Sequence, residues 1–267
     1  MVSWDSEALR IPATAYAQTL GASHFKKMRL LIAILILGTG LNSLGQENRP
    51  FSNLKEFKTK YSFMDIRVLY NEKTAKLYNK KLEDLDKNHP LYAADGCETE
   101  MLLILTTKID NTDKEYAIIY GTCPEPEFTI YDAKDLGKHY GDVSGLELIV
   151  PGNGFLYGKG HVNSNFNLTQ KYKMENGTLT EIKQPYYFVG LKTKTLRPLK
   201  LYSDKTEKEI VAELPTGYEI EILLAESGYD QESFYLAKTP FGLIGWLKIK
   251  AGQYKSIDVE GIFWNGD

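Results

Sequence analysis

Apolar positions along most of this chain recur with a period of two, in runs of four to eight residues, which is the spacing of half-buried β-strands. Residues 101–109 (MLLILTTKI) and 115–120 (EYAIIY) flank the polar stretch DNTDK and predict a hairpin. Farther on, LELIVPG, GFLYGKG, NLTQKYKM and TLTEIKQ follow at close spacing, separated by GNG, HVNSN and ENG. They predict an antiparallel meander whose sharpest turn is Asn176-Gly177. Helix is predicted only near the front, over residues 51–61 (FSNLKEFKTKY) and 74–87 (TAKLYNKKLEDLDK). In the second of these, Ala75, Tyr78, Leu82 and Leu85 fall near helical spacing, although the IRVLY just before it alternates like a strand.

From about Pro185 the pattern shifts to five short strands: RPLKLYS, EIVAEL, YEIEILLA, SFYLAKT and LIGWLKI. Leu199 and Leu201 alternate with Lys200 and Tyr202. Ile220, Ile222 and Leu224 alternate with Glu219, Glu221 and Leu223, which places the first set inside. Trp246 falls opposite Leu247 and Ile249, so Tyr202 and Trp246 are both expected on an outer face. The fourth of these strands is apolar on both sides, with Phe234 and Leu236 on one and Tyr235 and Ala237 on the other. One side must therefore meet something else. The competing reading is that these rings pack against the preceding domain through the linker YYFVGLKTKTL, whose Tyr186, Tyr187 and Phe188 would serve that purpose. The tail VEGIFWNGD adds Phe263 and Trp264, suited to covering a sheet edge.

The residues ahead of this mainly β pattern give an address. Lys26, Lys27 and Arg29 precede the apolar run Leu30 to Leu37, which is then interrupted by Gly38, Gly40, Asn42 and Ser43. The run is shorter than the roughly 20 residues that span a bilayer, so it reads as a secretory signal and not as a permanent membrane span. Ser43 and Gly45 stand at the small-residue positions of a cut before Gln46, and two readings of residues 1–27 stay open: a mis-called start ahead of Met28, or a long n-region that is removed with the signal. The expected organisation is a signal region at 1–45, a β-rich domain of unassigned family with one or two short helices at 46–185, a small barrel at 186–252 and a tail at 253–267. The expected location is secreted or periplasmic.

The C-terminal strands carry a resemblance. Leu201-Tyr202, then Leu214-Pro215-Thr216-Gly217-Tyr218, then Phe234-Tyr235-Leu236-Ala237, then Phe241-Gly242-Leu243-Ile244-Gly245-Trp246-Leu247 resemble, in order and spacing, a bacterial SH3-like (SH3b) domain. In that family an LY opens a small β-barrel, an LPxG turn precedes the long central strand, and a GxxGW hairpin closes it. Two departures stand out: Phe234 takes the place of the Trp that often opens the fourth strand, and LLAESGYDQESF lengthens the loop before it. The resemblance covers about 60 residues. It implies an exported binding protein whose ligand is cell-wall peptide or glycan, or an envelope protein. The site residues expected on that reading are Tyr202, Asp204, Tyr229, Phe234 and Trp246, with Tyr229 chosen for its place in the lengthened loop.

Composition narrows the chemistry further. The chain has 267 residues, with 32 Lys plus Arg against 35 Asp plus Glu, and residues 46–267 carry 28 against 33, a net of -5. No basic excess is present to hold nucleic acid. The 18 Tyr suit pleated surfaces and recognition platforms. Cys97 and Cys123, both in the exported part, are expected to form a disulfide, a staple worth about 3 kcal/mol. The alternative function is an envelope cysteine hydrolase using Cys97 with His139 or His161, although strand-like sequence follows Cys97 where a catalytic thiol favours a helix N-terminus.

Other motifs fall to simpler readings. PGNGFLYGKGH lacks the glycine spacing and the Ser or Thr of a phosphate loop, so its glycines are expected in turns. Gly141-Asp142-Val143-Ser144 has its Gly one residue too early for a nucleophile elbow. Asp110-Asn111-Thr112-Asp113 lacks the turn glycine and closing Glu of a calcium loop. The carboxylates of Glu98, Glu100, Glu125 and Glu127 are expected on solvated surface. No metal-ligand spacing is present, and neither a cofactor nor a catalytic residue is expected.

Overall fold

A computed structural model describes residues 51–266, apart from 52, 62, 83–100, 111 and 122–124. Among the described residues there are 17 strands and no helix, and residues 51–267 form one compact unit. Cys97 and Cys123, with the proposed bridge between them, lie outside the described residues, as does the whole of 1–50.

The chain opens with the hairpin β1 (Lys55–Tyr61) and β2 (Met64–Tyr70). It then lays down β3 (Ala75–Lys81), β4 (Leu102–Thr107), β5 (Tyr116–Gly121), β6 (Glu127–Asp132) and β7 (Asp135–Ser144) as a five-stranded antiparallel sheet in sequence order. The meander β8 (Glu147–Val150), β9 (Phe155–Lys159), β10 (Thr169–Glu175) and β11 (Thr178–Glu181) follows. Its first strand pairs in parallel with β2, which makes a second sheet in the order β1-β2-β8-β9-β10-β11. Asn176 and Gly177 join β10 to β11 with φ of 52° and 78°, the left-handed pair that a tight two-residue hairpin requires.

Neither expected helix is present among the described residues: Lys55–Tyr61 and Ala75–Lys81 are strands, and residues 83–87 of the second expectation lie outside the described residues. In β1, Phe57, Thr59 and Tyr61 alternate with Glu56, Lys58 and Lys60, and β2 supplies a complete antiparallel ladder, so cross-strand pairing overrides the helical spacing. In β3 the register with β4 slips between Leu77 and Lys80, where Asn79 takes a φ of 51°. That bulge breaks the strict alternation and leaves a helix-like spacing in the sequence.

These two sheets share one core, in which Ile66, Ile104, Tyr120, Phe128, Val143 and Leu148 are wholly or almost wholly buried. A small satellite on the other side of the second sheet gathers Leu54, Leu69 and Ile149 under Phe51 and Tyr157.

The third sheet is built from β12 (Tyr187–Lys194), β13 (Leu199–Tyr202), β14 (Ile210–Leu214), β15 (Glu219–Ala225), β16 (Glu232–Lys238) and β17 (Ile244–Lys250), in the order β12-β15-β16-β17-β13-β14. All five strands expected after Pro185 are present, and the supposed linker supplies a sixth, β12. The sheet does not close into the expected barrel, because β12 and β14 remain its two ends. The tail occupies the free edge of β12 that a closing strand would need: Glu260 N–H donates to Lys194 C=O and Leu196 N–H to Asp258 C=O.

Its core holds Leu201, Ile220, Ile222, Tyr235 and Leu247, completed by Val162, Phe166 and Leu168 from the β9–β10 connection and by Val259 and Ile262 from the tail. The alternation of β15 breaks at a register shift between Ile222 and Leu224. Ile220 and Ile222 are buried as expected, whereas Leu224 turns outward and Ala225 takes the inner place.

Candidate functional site

Because register in a sheet aligns side chains across strands, the bulge in β15 has a large effect on the outer face of the third sheet. Phe188 pairs with Leu224, Leu224 with Leu236, Leu236 with Trp246, Trp246 with Tyr202, and Tyr202 with Ile210. Six apolar or aromatic side chains thus form one row across all six strands. None is buried: Phe188 is 78% exposed and Ile210 45% exposed, while Leu224, Leu236, Trp246 and Tyr202 are half-buried. A continuous row of this kind differs from the single exposed apolar residues common on soluble proteins, and it is the usual mark of an interaction surface.

Charged residues border the row. On one side Lys192 pairs with Glu221 and Glu221 with Lys238, at the mouth of a cleft of about 550 Å³. On the other, Phe234 pairs with Lys248, whose Nζ lies 5.7 Å from the Phe234 ring centroid and 2.8 Å from a Glu232 carboxylate oxygen. Both borders are mixed in sign.

Over the centre of the row sits a built-in cation. The turn between β13 and β14 places the Lys205 ammonium 5.3 Å from the Trp246 ring centroid and 5.7 Å from that of Tyr186, within cation–π range of both. The two rings are 6.0 Å apart and tilted by 39°. Lys205 also donates to the Glu226 carboxylate, a pairing that raises the pKa of its ammonium. Glu226 follows Leu224 and Ala225 at the end of β15, and its N–H donates to Phe234 C=O.

Of the residues expected from sequence, Tyr202, Phe234 and Trp246 come together on this face. Asp204 lies in the adjoining turn, where its carboxylate accepts bonds from the Thr206 hydroxyl and N–H that hold its pKa below the ordinary value. Tyr229 is placed elsewhere. It packs edge-on against Tyr187, and its hydroxyl accepts from Gln170 Nε2 at 3.2 Å and donates to Glu181 at 3.0 Å. Burial pushes its pKa up. Of the linker aromatics in the competing reading, Tyr186 packs on Trp246, Tyr187 packs against Tyr229, and Phe188 remains exposed.

Sequence reasoning missed Phe188, Leu224, Leu236, Lys205 and Glu226. Leu236 was legible as one side of a doubly apolar strand, whereas Leu224 and Phe188 depend on bulges that no periodicity announces.

Other groups are less suggestive. His139 Nε2 lies 2.9 Å from an Asp142 carboxylate oxygen and its ring leans on Tyr131. His161, with a φ of 52°, lines an apolar cleft of about 460 Å³ with Leu146, Phe166, Val189, Leu191 and Phe263. On the strand pair β6–β7, burial together with the nearby carboxylates of Asp142 and Glu125 raises the Glu127 pKa to about 7. Among the described residues no group of His, Cys, Asp and Glu gathers in a way that would hold a metal ion, and no helix is long and apolar enough to cross a membrane.

No family model, no curated protein and no solved structure matches the chain.

Proposed function

We propose that this is an exported, non-catalytic binding protein that grips an envelope ligand, either cell-wall peptide or glycan or a protein, with the outer face of its third sheet. The observation that carries the reading is the six-residue row from Phe188 to Ile210, exposed at both ends, half-buried between them and centred on the aromatic cluster of Trp246, Tyr186 and Tyr202. Aromatic rings supply contact area at little entropic cost, and tyrosine hydroxyls at the edge of the row add hydrogen bonds to a peptide or sugar. The SH3-like reading of residues 186–252 is supported by where its motifs fall. Leu201-Tyr202 ends β13, Leu214-Pro215-Thr216-Gly217 leads into β15, and Gly242 to Trp246 leads into β17. The exported location rests on the basic and apolar pattern of residues 26–37.

Retention on purified peptidoglycan and on immobilised envelope protein extract tests the function. The expected result is retention on one of the two matrices, reduced at least about tenfold by Trp246→Ala, which corresponds to the roughly 1.4 kcal/mol of one partly buried ring contact. Retention that Trp246→Ala and Phe188→Ala both leave unchanged would overturn it.

A further inference from the structure

Resting on that reading, we infer that the Lys205 ammonium is an internal stand-in for a ligand cation, and that the site takes a peptide carrying a primary amine side chain flanked by apolar residues. Three features of the site support this. The Trp246 and Tyr186 rings and the Glu226 carboxylate converge on one point, and that point is already filled by an ammonium. Two aromatic faces and one carboxylate form a receptor whose preference is for a cation, because the ring quadrupoles and the negative charge favour the same sign. The apolar row then runs away from that point in both directions, towards Phe188 through Leu236 and Leu224, and towards Ile210 through Tyr202.

Lys205 is well suited to exchange. It belongs to an exposed turn, with Ser203, Asp204, Thr206, Glu207 and Lys208 all at the surface, and its own side chain is 37% exposed. The four-carbon stem can swing the ammonium into water without moving the backbone. Glu226, at 32% side-chain exposure, cannot follow it as easily, since it is fixed at the end of β15. A neutral ligand that pushed Lys205 aside would leave that carboxylate beside two rings without a counter-charge. An amine-bearing ligand replaces one cation with another and leaves no charge stranded. Specificity thus comes from the penalty on the wrong ligand as much as from attraction to the right one. In the unliganded protein Lys205 shields the rings and is an autoinhibitory contact.

The test uses two capped peptides, acetyl-Gly-Leu-Lys-Leu-Gly-amide and the same peptide with norleucine in place of lysine, titrated against the full chain while the Trp246 indole N–H resonance is followed. For the unaltered protein the lysine peptide is expected to bind weakly. In Lys205→Ala its affinity rises about fivefold, the worth of one partly exposed cation–π contact no longer contested, and the norleucine peptide gains nothing. Lys205→Arg, which keeps a cation in place, stays near the parent, and Glu226→Gln in the Lys205→Ala background cancels the gain. Should Lys205→Ala unfold, Lys205→Ser is read in its place, and preference of the unaltered protein for lysine over norleucine gives a second measurement. An equal gain for both peptides would overturn the amine inference while leaving the apolar row as a binding surface. No gain, or no response to either peptide, also overturns it, and the retention assay then decides the broader reading by itself.

Discussion

Tyr202 and Trp246 are register partners across β13 and β17, and their pairing joins the β13–β14 hairpin to the three-stranded meander β15–β17. The side chains at this joint point outward, while Leu201 and Leu247, one position along each strand, are fully buried. On the proposed reading, binding and stability are carried by adjacent residues on opposite faces, and substitution separates them. Trp246→Ala is expected to cost no more than about 1 kcal/mol in urea denaturation while abolishing ligand retention. Leu201→Ala is expected to cost about 2–5 kcal/mol by leaving a cavity in the core. Equal losses of stability for the two would contradict this division.

Gly245 makes the joint possible. A Cβ at this position would lie 2.5 Å from the Tyr202 carbonyl oxygen and 2.8 Å from Leu201 Cγ, both on the neighbouring strand. Gly245→Ala is expected to push β13 away from β17 at a cost of about 1–3 kcal/mol. It should weaken ligand retention as well, because Tyr202 and Trp246 then lose their common register. Thermal denaturation combined with the retention assay measures both effects.

Asp258 clips the tail to the third sheet. Its carboxylate is fully buried, accepts from Arg197 Nε at 2.5 Å and from the Lys250 N–H at 2.7 Å, and is the one charged partner shown for Arg197 among the described residues. Asp258→Ala removes a buried carboxylate whose cation, Arg197, is half exposed, leaves the Lys250 N–H without its acceptor, and is expected to cost about 1–2 kcal/mol. Asp258→Asn, which keeps an acceptor, should cost less. Limited proteolysis after position 250 is expected to speed up in the first variant.

Glu127 should give the fold a slope against pH. Its pKa is raised to about 7 by burial first, then by Asp142 and Glu125, with His139 opposing them, against an ordinary value of 4.5. Between those two values the folded protein holds a proton that the unfolded chain has released, so this contribution to stability is complete at pH 4 and is lost as pH rises through 7. Allowing for the partial exposure of the site, the loss is about 1–2 kcal/mol. Melting temperature measured from pH 5 to 8 should fall more steeply for the unaltered protein than for Glu127→Gln, which stays neutral throughout. Parallel profiles would show that Glu127 ionises freely.

Legibility from sequence followed the physics of alternation. The meander β8–β11 and the strands β13–β17 were readable because each runs with period two between strong turn residues, such as Asn176-Gly177 and Leu214-Pro215-Thr216-Gly217. Tyr202 and Trp246 were assigned to the outer face by the same parity, whereas Phe234 lay on a strand apolar on both sides and was chosen through the resemblance. The failures lie where the period breaks. Asn79 interrupts β3 and made a strand look helical, and the slip between Ile222 and Leu224 reversed the side on which Leu224 sits. The positions of Lys205 and Glu226 are contacts between a turn and a distant strand end, and no local pattern encodes them. Tyr229 was chosen for its loop, but the partners that hold it, Gln170 and Glu181, come from strands about 50 residues earlier.

The third sheet borrows the stretch containing Val162, Phe166 and Leu168 from ahead of its first strand and the stretch containing Val259 and Ile262 from beyond its last. A ribosome must therefore finish almost the entire polypeptide before this sheet can settle. A half-made molecule therefore carries its hydrophobic strands unassembled, a state that invites capture by holding chaperones. Once complete, the halves should melt together in a single step, with neither outliving the other.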